Sequence, residues 1–231
     1  MFDDFKELLS IFNAQKVKYL IPRRVLTLKL TKALILLVGI WGLLAILAAY
    51  ETRRTRNEAE EFLAELVRLR VGESTFDQVA PLITTYHGEW WRPRPLAPDE
   101  RDVTPCAYPY RQVEFVFENR WLHWVLFAPR TLFDGGVHIK DNRVCFRSMG
   151  IITTAVGIRG VSVDEFREGR KARPFSVVVL NDFETLVTMT AAATAVQRAA
   201  AYSINLDCLT KLRGCRHTME MAPAIWRLYG R

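Results

Sequence analysis

Residues 33–50, ALILLVGIWGLLAILAAY, carry no charge. At about 1.5 Å per residue this run, extended by Leu30 and Thr31, nearly crosses a hydrocarbon core of about 30 Å. A surface helix would show a polar face, and this run has none. Gly39 and Gly42 are in keeping with a membrane helix, and Tyr50 closes the run with a ring suited to the interface. A buried core helix of this length would be unusual. A cleaved signal peptide fits poorly, because 32 residues precede the run and no clean A-x-A site follows it. We therefore read an uncleaved signal-anchor.

The flanks orient it. Lys6, Lys16, Lys18, Arg23, Arg24, Lys29 and Lys32 precede the run, and Arg53, Arg54 and Arg56 follow it. Seven against three places the N-terminus in the cytoplasm by the positive-inside rule. The expected organisation is a basic cytoplasmic tail (1–32), a transmembrane helix (33–50) in the cell membrane and an extracytoplasmic domain (51–231). The tail holds seven Lys and Arg against three acids, whereas residues 51–231 hold 25 against 22. The basic excess thus suits an anionic lipid surface and argues against nucleic acid as a partner. Residues 51–231 are enough for one sizeable core.

Cys106, Cys145, Cys208 and Cys215 all follow the run. An even count on an oxidising side permits two disulfides. Cys208 and Cys215 are close enough to close a local loop, which leaves Cys106 with Cys145; the two other connectivities stay open.

The domain reads as α+β, with helices packed on a mainly antiparallel sheet. Phe5, Leu8, Leu9 and Phe12 have the spacing of a short amphipathic helix within 1–20. Ala59, Phe62, Leu63 and Leu66 give a helix continuing from the anchor and ending at Gly72. Ser74 or Thr75 caps a second helix carrying Phe76, Val79, Leu82 and Ile83. Five prolines between Gly88 and Arg111 predict an irregular connection. Strands are predicted over 112–118 and 121–128, joined by a turn at Asn119 and Arg120. Residues 137–140 and 143–146 form a hairpin about Asp141 and Asn142, with Ile139 opposite Val144 and His138 opposite Cys145. In that register Cys145 points away from the core, towards a covering segment such as the one bearing Cys106. Ser162 to Glu165 reads as a capping box opening one helical turn closed by Gly169. Residues 175–180 are a strand, with 185–190 as its partner. The Ala- and Thr-rich 186–201 segment is too polar for a second span. The tail after the cysteine loop is helical, with Met219, Ala222, Ile225 and Trp226 available for packing.

Catalytic motifs are absent. There is no H-E-x-x-H, G-x-S-x-G, S-x-x-K, C-x-x-C, phosphate loop or dinucleotide fingerprint. Cys208, Cys215 and His217 could offer zinc ligands, but their spacing matches no common finger and an oxidising compartment favours a disulfide. No cofactor or metal is assigned. His87 and His123 read as single histidines in a loop and a strand. Trp90 and Trp91 with Arg92 and Arg94 are the candidate interface, either for a partner or for outer lipid headgroups.

The segment L-R-V-G-E-S-T-F-D-Q-V, residues 69–79, resembles the opening of small outer-membrane lipoproteins that assist β-barrel assembly, although the lipidated Cys of that family is missing. More broadly, G-x-S-T-F-D-x-V, the strand pairs and the element from Asn205 to Cys215 resemble a family of uncharacterised bacterial single-anchor proteins. That resemblance implies an α+β extracytoplasmic domain and no established activity. The expected function is a non-catalytic envelope interaction or assembly module held in the lipid bilayer, with an envelope protein as partner. The alternative is a membrane-tethered hydrolase or metal-dependent enzyme whose site is built from dispersed residues.

Overall fold

A computed structural model of the chain describes residues 23–91, 106, 109–154, 157–167, 173–181 and 184–229. The amphipathic helix expected within 1–20, Gly169, and the proline-rich stretch over 92–105 lie outside them. The chain divides into two units between Leu43 and Leu44.

The first helix, α1 (Arg23–Arg68), runs unbroken through the uncharged run and on into the segment of Phe62 and Leu66. From Leu30 to Leu43 its apolar side chains are almost all exposed. It is the one helix among the described residues long and apolar enough to cross a membrane. An exposed stripe of this length is unstable in water and suits lipid.

The second unit is α+β, as the pattern predicts. Seven strands form one sheet: β1 (Glu89–Trp91), β2 (Arg111–Glu118), β3 (Thr131–Lys140), β4 (Arg143–Thr153), β5 (Arg159–Phe166), β6 (Phe175–Asn181) and β7 (Glu184–Thr190). Their order is β1-β2-β3-β4-β5-β7-β6. Every pairing is antiparallel except that of β5 with β7. The helices α2 (Phe76–Thr85), α4 (Ala195–Ala201), α5 (Thr218–Met221) and α6 (Pro223–Tyr229) and a 3₁₀ turn (Leu206–Leu209) share one core with the sheet. The segment of α1 after Tyr50 joins that core. Phe62 is its hub, with ring centroids 4.6 Å from Phe115 and 5.2 Å from Phe117. Gly135 makes this approach possible, since a Cβ there would stand 2.6 Å from the Phe62 ring.

Local chemistry explains the element ends. Gly72, at φ 86°, turns the chain after α1. Thr75 opens α2, its N–H donating to the Gln78 side chain at 3.0 Å. Asp141 and Asn142, at φ 49° and 63°, form the two-residue turn of the β3–β4 hairpin. Pro223 begins α6, where its missing N–H is harmless. The 186–201 segment divides into β7 and the short α4.

Four expectations are corrected. Residues 121–128 are not a strand: α3 (Arg120–Leu126) leaves the sheet there, and Asn119 is its N-cap residue. Ser162 to Glu165 opens no helix; it lies within β5, where Val161, Val163 and Glu165 alternate inward. His138 faces Phe146 rather than Cys145, because a bulge after His138 leaves Cys145 as the extra residue. Trp90 and Trp91 lie in the edge strand β1 rather than in a loop.

Candidate functional site

The predicted site residues are dispersed. Cys106 is joined to Cys145 and Cys208 to Cys215. With both thiols of the second pair oxidised, neither is a thiolate ligand for zinc. Trp90 and Trp91 are half-exposed, and the Trp90 ring lies 6.1 Å from that of Phe76. Arg92 and Arg94 lie outside the described residues. His87 sits in the turn after α2 at φ 54°. His123 is in α3, not a strand, with Nδ1 2.7 Å from the carbonyl of Ala128. Ser74, one of the two candidate caps of α2, accepts from the Arg70 N–H at 2.9 Å and so closes the turn before the helix.

Two arrangements escaped the sequence. The first is a charge network on the core side. Arg147 is 2% exposed. Its guanidinium donates to the carbonyls of Leu66 and Leu69, to the carboxylate of Glu165 and to the Tyr202 hydroxyl. Arg198 forms a second ion pair with Glu165. Burial alone would push Glu165 up, but Arg147 and hydrogen bonds from Tyr202, Arg147 and Arg198 hold it below its ordinary value. The network ties the end of α1 to β4, β5 and α4. A signal for it existed: Arg147 and Glu165 occupy inward positions of strands whose other inward residues are Met149, Ile151, Val161 and Val163.

The second is the opposite sheet face, which no described helix covers. Strand register places Glu114, Gly136, Ser148, Asp164, Thr188 and Ser176 in one row across it. The neighbouring row is Val116, Asp134, Gly150, Ser162, Leu186 and Val178. Gly136 and Gly150 make the centre shallow, and Asp134 Oδ1 lies 3.0 Å from where a Gly150 Cβ would be. That oxygen is buried and has no hydrogen-bond partner. Burial, with Glu114 nearby, raises Asp134; burial and Asp134 push Asp164 up to about 6. His138, stacked on Tyr110 at 4.6 Å, is lowered by burial to about 4 and stays neutral. Towards β6 the face becomes apolar, where Ile152, Ile158, Leu180 and Leu186 line a cleft of about 220 Å³.

β6 ends the sheet, and its outer edge has no strand partner among the described residues. Val178, Val179 and Leu180 are 43%, 51% and 59% exposed. Among the described residues, no group of three or more His, Cys, Asp or Glu is placed to hold a metal ion. No family model, curated protein or solved structure matches the chain.

Proposed function

We propose that this protein is a membrane-anchored, extracytoplasmic binding module that receives an extended segment of an envelope protein along β6. The observation that carries the reading is the β6 edge itself. Soluble proteins guard a free edge with Lys, Pro or inward charges. Phe175–Asn181 has none of these; its register shifts once, between Val179 and Asn181, and it exposes Val178 and Leu180 beside the apolar cleft. A partner strand would pair with backbone groups that no described strand reaches, and the cleft would take its side chains. The seven-to-three Lys and Arg bias supports an extracytoplasmic domain, as do two disulfides suited to an oxidising compartment.

The test is photo-crosslinking in native membranes, with p-benzoylphenylalanine at Val179. The expected result is a discrete protein adduct that disappears when Leu180→Lys is added. Absence of any protein adduct, or one indifferent to Leu180→Lys, refutes the reading.

A second reading, a membrane-tethered hydrolase, is favoured by Asp134 and Asp164, two carboxyls held above their ordinary values by burial on one face of the sheet, in adjacent rows. It requires that Asp134→Asn and Asp164→Asn abolish a hydrolytic turnover while leaving the Val179 adduct intact.

A further inference from the structure

The end of the sheet where β2 gives way to β3 has the chemistry of a membrane contact. The α3 excursion is pinned at its base. The buried Asn119 donates to the Pro129 carbonyl at 3.0 Å and accepts from the Thr131 N–H at 2.8 Å, and Arg130 pairs with Glu118 at 2.7 Å. Its outward side chains are nevertheless aromatic: Trp121, Trp124 and Phe127 are 55%, 72% and 87% exposed. Phe127 also holds φ 54°, a left-handed conformation that bulky residues rarely adopt. The fold keeps that strain for a ring the core does not use.

The depth of this end is set by α1. Ala48 and Thr52 are buried. A bare helix leaves its alanines partly exposed, so folded chain covers this side of α1 down to Ala48. Ala48 lies about 3 Å inside the end of the apolar run at Tyr50. A cleft lined by Glu51 and Arg54 on one side and Arg120 and Trp121 on the other sets α3 beside the helical turn that follows Tyr50. Gly214 lies against Thr131, which fixes the turn over 211–214 at the same end. Arg120, Lys211 and Arg213 are exposed there, while Glu118 is occupied by Arg130. Rings interleaved with cations are the composition of the headgroup layer's protein partners.

We infer that Trp121, Trp124 and Phe127 seat in the phospholipid headgroup layer of the leaflet on the domain's side, with Arg120, Lys211 and Arg213 against lipid phosphates. The chain then holds the bilayer at two points, its apolar run and this aromatic end. Lipid is the occupant because the patch lies beside the turn of α1 that follows Tyr50, where the apolar run ends. The inference rests on the membrane reading of that run. It also relocates the headgroup contact. Trp90 pairs with Val113, five residues before Glu118 and so about 17 Å further along the sheet.

The test uses the full chain in native membranes, with p-benzoylphenylalanine placed singly at Leu36, Trp90, Trp124 or Phe127, and mass spectrometry of the adducts. Non-reducing electrophoresis confirms that each variant keeps its disulfides. The expected result is phospholipid adducts at Leu36, Trp124 and Phe127, with loss to the unirradiated background at Trp90. Adducts at Leu36 but none at Trp124 and Phe127 overturn the inference and leave the anchor standing. Protein adducts at Trp124 and Phe127, from a partner helix or a second copy, overturn it as well. No lipid adduct at Leu36 overturns the membrane reading and the inference with it.

Discussion

Arg147→Met removes the side chain on which the joint between α1 and the sheet depends. The wild-type guanidinium satisfies two carbonyls at the end of α1, that of Leu66 in its last turn and that of Leu69 just past it, and pairs with Glu165, both charges being almost wholly buried. Breaking a buried pair by removing one partner costs about 3–5 kcal/mol. Glu165 keeps Arg198 and the Tyr202 hydroxyl, which lowers the cost. The two carbonyls lose their partner, which raises it by about 1–3 kcal/mol. The expected destabilisation is therefore about 3–5 kcal/mol. Glu165→Leu alone leaves Arg147 charged and buried, and costs a similar amount. The double variant Arg147→Met/Glu165→Leu removes both charges together, so it is expected to cost less than the sum of the singles by about 1–3 kcal/mol. Guanidinium unfolding of the full chain in detergent, followed by tryptophan fluorescence, measures all three. A single-variant cost under about 1 kcal/mol refutes the role of the network in tying α1 to the sheet. So does additivity of the two variants to within about 0.5 kcal/mol.

Asp164, raised from 3.8 to about 6, binds its proton more tightly folded than unfolded, so its contribution to stability is greatest below about 4 and declines as pH rises through 6. Asp164→Asn should remove that slope and raise stability at pH 7 by about 1–2 kcal/mol after allowance for solvent screening, as denaturation at pH 4.5 and 7 would show. Glu165 runs the other way: it is held low, so its stabilisation is complete above its ordinary value and is lost as pH falls through the folded value. By loop entropy, the 39-residue separation of Cys106 and Cys145 makes that disulfide worth roughly 4 kcal/mol and the 7-residue separation of Cys208 and Cys215 makes the other worth roughly 2 kcal/mol. Cys106→Ser/Cys145→Ser should therefore lower the unfolding midpoint further than Cys208→Ser/Cys215→Ser. Gly135→Ala drives a methyl into Phe62 and should cost about 1–3 kcal/mol in the same assay.

The parts of the fold legible in the sequence are those that short-range chemistry dictates. The uncharged run, the Val-rich β6 with β7, the Asp141-Asn142 hairpin and the Thr75 cap each need only their own neighbours. The errors arise where one composition serves two structures. Trp121, Val125 and Phe127 have strand-like propensity, yet the chain leaves the sheet and makes a helical turn there, because the Asn119 side chain closes the base of the excursion on Pro129 and Thr131. Ser162 and Glu165 have capping-box spacing, yet Glu165 faces the core because Arg147, eighteen residues earlier, neutralises it. The bulge at Cys145 and the parallel pairing of β5 with β7 are long-range choices. The open face is legible only after register is known, since Asp134 and Asp164 lie on different strands two apart.

The central claim is that the run over 33–50 holds a disulfide-bonded binding domain on the outer side of the cell membrane. Alkaline phosphatase and green fluorescent protein fused in turn after Arg231 test it most directly. An active phosphatase and a dark fluorescent protein are the predicted results. An inactive phosphatase with a bright fluorescent protein would place the domain in the cytoplasm and contradict the account.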